Sequence, residues 1–541
     1  MLTLTYSLVD PTLPALLESI VRRHERTRLP ADCDAALEFV SAAAISDECY
    51  VLTCSGRSFT IAASSRLGFL YGLGKALRRI AAGEFAPKTI RFRPAKPCRG
   101  VYFATHFHNY YITAPLEELT AYLEDLTLWG MNAWCAWYDI HAFQSVEDPE
   151  AQALAARIRA LLQVCKRCGV KTMLGFLANE AFASSDPSMR AEWAAQNGYL
   201  SEPVGHYHVE LCPNKPGGMQ AILETKMQVL GEFADCPPDR IWLWPYDQGG
   251  CTCAQCAPWG ANGFLTTVRK VAPLLRKALP DVELLLSTWY FGQFAGPEEW
   301  IGFLEHKAEI AELFDGMVSE FPFDLKFPEY LKRFPLPIYG FEEISMRGAA
   351  PWGGFGANPM PAYLAELNEK LLPWQQGGYL YSEGIFEDLN KVLLLSLFCE
   401  PDREIPDILR EYARYELGCD DGALVGALYE LEETLPRERV DDADGEVRFV
   451  LARPDKAVSI AEQFERIDRL LEPRRRGGLR WRQLYLRAQI DRELVLNGFH
   501  STFAVEALYQ QLVELYHAEE ADYIVSPPTA EAIAANRGAA T

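Results

Sequence analysis

Two apolar periods alternate through the middle of this chain. Between Arg99 and Gly384, short runs rich in β-branched and aromatic residues are each followed by a polar loop and usually a helix-period stretch, about eight times over. The strand-like runs are Arg99–Thr105, Ala133–Ile140, Lys171–Ala178, Arg240–Asp247, Val282–Phe291, Gly316–Phe321, Pro337–Ile344 and Gly378–Gly384. Between them, Pro115–Gly130 carries Leu116, Leu119, Leu123, Leu126 and Trp129 on one stripe, with acids opposite, and closes on a glycine. Pro149–Val170, Gly218–Ala234 and Gly263–Leu279 follow the same pattern. Strand and helix in this order predict a (β/α)₈ TIM barrel over residues 96–395.

The flanks read differently. Residues 1–95 predict a small α/β domain: strands at Leu2–Leu8, Tyr50–Cys54, Ser58–Ala63 and Thr89–Arg93, with Ser55-Gly56-Arg57 as a hairpin connection. A helix at Arg66–Ile80 carries Gly68 and Gly72 on one face, which suggests close packing on a sheet. Residues 396–541 predict a helical domain without strands: Ile405–Leu417, Asp421–Leu435, Asp455–Leu471 and Arg480–Leu515, then a frayed tail after Pro527-Pro528. The fold class is therefore α/β, a barrel between a small α/β domain and an α-helical one.

Composition narrows the function. A chain of 541 residues with 49% hydrophobic content is globular, and 52 basic against 74 acidic residues leave a net charge of −22. So acidic a surface disfavours nucleic acid and anionic membrane as partners. No stretch approaches the ~20 apolar residues of a membrane span. The N-terminus lacks signal-peptide character, and 14 scattered cysteines suggest reduced thiols or a metal site, so a cytoplasmic protein is expected.

Several short segments carry a resemblance. Gly68-Phe69-Leu70-Tyr71-Gly72-Leu73, Arg99-Gly100-Val101-Tyr102, Leu128-Trp129-Gly130-Met131-Asn132 and Arg410-Glu411-Tyr412-Ala413-Arg414-Tyr415 look like the leading-domain helix, first barrel strand, turn into the second strand and post-barrel segment of certain glycoside hydrolases. The layout resembles families 20, 84, 67 and 163, which implies a carbohydrate substrate and hydrolysis of a hexosaminide or related glycan, with no cofactor for catalysis. Family 20 places an Asp-Glu pair after its fourth strand, where this chain has Asp247-Gln248.

Such hydrolysis needs two carboxyl groups across the scissile bond, one protonated and one ionised. Asp247, at the tip of an apolar strand and before glycines, is the first candidate. Of Glu342-Glu343 only one faces the barrel mouth, because side chains alternate along a strand, and Glu343 is favoured. Glu383 ends the last strand and is the alternative partner for Asp247. His106, His108, Asn109, Asn179 and Glu180 are candidates for hydroxyl recognition, with Asp139 and His141 as weaker ones. Tyr246, Trp289, Tyr290 and Trp352 offer faces for a pyranose ring, whereas Trp242 and Trp244 read as core.

Cys251-Thr-Cys253-Ala-Gln-Cys256 has the spacing of a loop-borne structural zinc site, with Cys212, His206 or His208 as the fourth ligand. Two alternatives to a hexosaminidase stand beside it. One is an α-glucuronidase-type uronidase, which needs a basic residue such as Arg347 to meet the uronate, and the other is a non-catalytic carbohydrate-binding barrel. A second copy of the chain is a further candidate partner.

Overall fold

The computed structural model describes residues 1–105, 109–192, 209–245, 250–292, 296–319, 324–345, 356–441, 447–500 and 502–517. A five-stranded sheet comes first: β1 (Thr3–Ser7), β2 (Ala36–Ser41), β3 (Tyr50–Ser55), β4 (Ser58–Ala63) and β5 (Lys88–Phe92), in the order β1-β2-β4-β3-β5. The β3–β4 hairpin turns at Gly56 (φ +61°), a left-handed conformation that glycine adopts without strain. Helix Arg66–Ala81 lies so close to the sheet that a methyl added at Gly68 would sit 2.4 Å from the Cys49 carbonyl oxygen. Sequence reading missed β2, although its alternation buries Leu37 and Phe39, and also missed helix Leu13–Thr27.

All eight anticipated barrel strands are present: β6 (Cys98–Phe103), β7 (Ala133–Trp137), β8 (Lys171–Leu177), β9 (Arg240–Trp244), β10 (Glu283–Ser287), β11 (Gly316–Val318), β12 (Ile338–Glu343) and β13 (Gly377–Ser382). Each pairs in parallel with the next, and β13 closes the ring on β6 over Gly377↔Cys98 to Ser382↔Phe103. Alternation sends Tyr102, Trp242, Trp244, Phe341, Tyr379 and Tyr381 into the barrel, where they form a packed aromatic interior. The helices Leu116–Leu128, Pro149–Cys168, Gly218–Gly231 and Leu265–Ala278 match the four amphipathic stretches within a few residues.

Two expectations for the C-terminal part fail. Residues Arg437–Asp441 and Val447–Leu451 pair as an antiparallel hairpin, although no strand was expected after residue 400. The first strand, Arg-Glu-Arg-Val-Asp, is mostly charged and runs into the acidic stretch Asp441–Asp444, so the region looked like a polar break. The stretch read as one helix over Arg480–Leu515 is two, Leu479–Leu496 and Phe503–Leu515. Left-handed Gly498 (φ +62°) follows the first, and the Thr502 hydroxyl accepts the Val505 amide to start the second.

A buried ionic junction joins the three parts. Arg28, just after the first helix, pairs with Asp125 at 2.8 Å and Glu416 at 2.7 Å, while Arg480 reaches Asp388 at 2.8 Å and both Asp125 and Glu416 at 3.3 Å. His24 lies at 3.0 Å from Asp125, and burial drives its pKa down to about 4. The neutral ring donates from Nε2 to Asp125 and accepts the Tyr415 hydroxyl at Nδ1. Among the described residues, no helix is long and apolar enough to cross a membrane.

Candidate active site

In a parallel barrel the strand C-termini share one face, so residues distant in sequence converge there. Phe341 points inward from β12, so Glu343, two residues on, has the same inward parity and Glu342 the opposite one. Glu343 is buried, and its Oε1 accepts both the amide (2.5 Å) and hydroxyl (3.0 Å) of Ser345, which fix its carboxylate at the strand end.

On β13 the inward residues are Tyr379 and Tyr381, and Glu383 continues that parity. Tyr381 lies opposite Glu343 in register and donates to Glu383 Oε1 at 2.8 Å, while Glu383 Oε2 has no hydrogen-bond partner among the described residues. Burial, followed by the negative charge of Glu343, holds the Glu383 carboxyl well above the usual carboxylate range, against the opposing pull of the Tyr381 hydroxyl. The structure thus sets two buried acids near each other, with the proton held more tightly on Glu383 than on an ordinary carboxyl.

Behind them stands a third acid that the sequence did not single out. Glu387 Oε2 accepts the Ser382 hydroxyl (2.8 Å) and the Gly384 amide (3.1 Å), with the Lys391 ammonium 3.8 Å away. Tyr111 binds Ser382 and the Gly384 carbonyl, and Tyr516 packs against Phe386, so the C-terminal helices brace the loop after β13. Only the Ser-Glu-Gly-x-x-Glu spacing hinted at Glu387. Lys391, four residues after Glu387, stands at the i,i+4 spacing of a helical ion pair.

The other strand ends carry mixed roles. Asn109 is fully buried and structural in its bonds: its side chain caps the short helix Tyr110–Thr113 and donates to the Ala104 carbonyl. Asn179 Nδ2 donates to the Leu211 carbonyl (2.9 Å), lacing the end of β8 to the segment around residue 211. Glu180 accepts Lys226 Nζ (2.9 Å) and Trp137 Nε1 (3.0 Å) and is buried, so burial raises its pKa while Lys226 pulls it back down. After β7, Asp139 bonds His141 Nδ1, and that contact raises the His141 pKa against the effect of burial.

Aromatic rings floor the mouth. Trp244 sits 5.6 Å from Trp289 and 6.3 Å from Trp137, centroid to centroid, and Trp289 lies 5.5 Å from Phe341. Trp289 and Tyr290 are partly exposed and 4.6 Å apart. Trp242 is fully buried below, as expected of core. Asp247, Tyr246, His106, His108, Trp352, Arg347, His206 and His208 lie outside the described residues.

Just beyond β9, the sulfurs of Cys212, Cys251, Cys253 and Cys256 all lie within 4.8 Å of one another. Cys212 Sγ is 3.8 Å from Cys253 Sγ and 3.7 Å from Cys256 Sγ, and no two of the four are bonded.

No protein-family profile and no curated protein matches the chain. Solved structures do. A family 115 4-O-methyl-α-glucuronidase with specificity for decorated arabinogalactans superposes with a TM-score of 0.59 at 10% identity, over 96% of this chain and 77% of that one. A family 138 enzyme targeting pectin rhamnogalacturonan II gives 0.58 at 9% identity, over 95% and 71%. The exo-β-N-acetylglucosaminidase of family 20 from Vibrio harveyi, in an inactive mutant form, gives 0.52 at 12% identity, over 79% and 74%. The chain has the fold of these barrel glycoside hydrolases.

Proposed function

We propose that the protein is a glycoside hydrolase whose buried carboxyl pair, Glu343 and Glu383, cleaves a pyranoside bond at the barrel mouth. The observation that carries this reading is the pairing itself. Glu383 keeps its proton to high pH beside Glu343, which Ser345 holds in place, and glycosidic cleavage needs one acid protonated and one ionised. Burying an acid oxygen without a partner costs stability, and a purely binding barrel gains nothing from that cost.

In this mechanism Glu383 gives its proton to the glycosidic oxygen as the bond to the anomeric carbon breaks. Glu343, on the neighbouring strand, is the anion, as nucleophile or as base toward water. Water supplies the hydroxyl at the anomeric carbon, and its second proton restores Glu383. Asp247, which comes after β9 in the sequence and lies outside the described residues, is kept as a candidate third acid.

A hexosaminide is the preferred substrate class. Lys226 and Lys391, the buried cations beside β8 and β13, are engaged by Glu180 and Glu387, which favours a neutral sugar over a uronate. Family 20 and family 89 enzymes of like fold also act on, or are complexed with, N-acetylglucosamine-type compounds.

A panel of aryl glycosides, N-acetylhexosaminides and glucuronides included, tests the proposal. Turnover of one member, abolished by Glu383→Gln and by Glu343→Gln in folded protein, is the expected result. Turnover unchanged in both variants overturns the assignment of the pair, and binding of sugars without any turnover overturns hydrolysis.

A further inference from the structure

The four-cysteine cluster lies outside the carboxyl site, and its geometry is that of a metal centre. A tetrahedral ion with metal–sulfur bonds of about 2.3 Å sets its ligand sulfurs about 3.8 Å apart. The separations from Cys212 to Cys253 and Cys256 are 3.8 and 3.7 Å, too long for disulfides and right for the edges of such a tetrahedron. Three of the four residues are buried, and Cys253 is partly exposed.

We propose that Cys212, Cys251, Cys253 and Cys256 bind one structural zinc ion that fastens the loop after β8 to the loop after β9. Four thiolates fill the tetrahedron and leave no open position for water or substrate, so the ion braces and does not react. The fourth ligand is Cys212, and neither His206 nor His208 is needed. Binding exchanges the thiol protons for the metal, so loading releases protons and weakens toward acid pH.

The surroundings fit this role. Asn214 Nδ2 donates to Cys256 Sγ at 3.2 Å, the kind of outer contact that orients a thiolate ligand. Cys212 follows Leu211, whose amide and carbonyl both bond Asn179 at the end of β8. On the other side, Trp259 donates to the Pro245 carbonyl at 2.8 Å, and its ring lies so near Gly250 that a methyl there would be 2.2 Å from it. Pro245 and Gly250 flank the segment carrying Asp247, and Cys251 comes next. The metal therefore anchors one end of that segment, and Trp259 grips both of its flanks.

Metal analysis of the full chain, purified under reducing conditions without chelator, tests the site independently of any glycosidase assay. One zinc per chain is expected. Exchange with cobalt should give the intense thiolate-to-cobalt absorption of a tetrahedral four-sulfur site. Cys253→Ser, at the partly exposed ligand, should retain metal at least about tenfold less well, and Asn214→Ala should weaken retention by about tenfold. Cys212→Ser should lose the metal while His206→Ala and His208→Ala keep it. Should Cys212→Ser not fold, the cobalt spectrum of the unmodified chain decides between four sulfurs and a mixed sulfur–nitrogen set. Zinc-free chains with freely reactive thiols, bound iron in place of zinc, or a sulfur–nitrogen spectrum overturn the proposal.

Discussion

Glu342 offers a clean measurement of what a misplaced acid costs. It points outward from β12 into a fully buried position, folded back over Gly340, and neither carboxyl oxygen has a hydrogen-bond partner. Burial raises its pKa, and the pull of the nearby Gln375 amide in the other direction is the smaller effect. The pKa rises from 4.5 to about 7. The folded state therefore keeps its proton longer than the unfolded chain does. Its stability is intact below the unfolded value, falls as pH climbs from 4.5 through 7, and then levels off. At about 1.4 kcal/mol per pH unit, the total loss is about 3 kcal/mol. Glu342→Gln removes the titration while keeping the shape. Urea unfolding midpoints of both proteins across this range should coincide near the acid end and diverge steadily, with the variant up to about 3 kcal/mol more stable on the alkaline side. A constant difference across pH, or one that grows toward acid, refutes the reasoning.

Glu383→Gln should lower turnover of the best aryl glycoside by about 10²- to 10⁴-fold. Because the folded pKa is raised, activity of the unmodified enzyme should fall on the alkaline side as Glu383 loses its proton, and the pH–rate profile of the variant should lack that limb. Arg480→Met strips the shared cation from Asp125, Asp388 and Glu416 and should cost about 3–5 kcal/mol in urea unfolding. Gly68→Ala should cost about 1–3 kcal/mol by pressing on the Cys49 carbonyl. Gly426→Ala lies mid-helix with nothing within 4 Å of the added methyl, and should gain about 0.5–1 kcal/mol by the same measurement.

The barrel was legible because its strands are buried on both faces and read as unbroken apolar runs, from Ala133–Trp137 to Gly377–Ser382. Alternation said that only one of Glu342 and Glu343 faces the mouth, and Glu343 was favoured as the one nearer the strand's C-terminal end; the inward Phe341 gives it that parity. Long-range chemistry was not legible. Nothing local in the sequence says that Lys226 neutralises Glu180, because the two come from a strand end and a helix far apart in the chain. Asn109 shows the reverse error: a polar residue at a strand end looked like a sugar contact, yet its amide is used up in capping a turn. The C-terminal hairpin escaped notice because its first strand is almost entirely charged and the acidic stretch that follows reads as a break.

The knot of charge around Asp125 means that the barrel cannot be excised. Cutting the chain near residues 95 and 395 would remove Arg23, His24 and Arg28 on one side and Arg480 on the other, taking from Asp125 its cations and from Asp388 its guanidinium while uncovering the apolar surface that the flanking parts bury. Anyone seeking a minimal catalytic fragment should expect insoluble material from such a cut, and would do better to shorten surface loops while keeping both ends of the polypeptide.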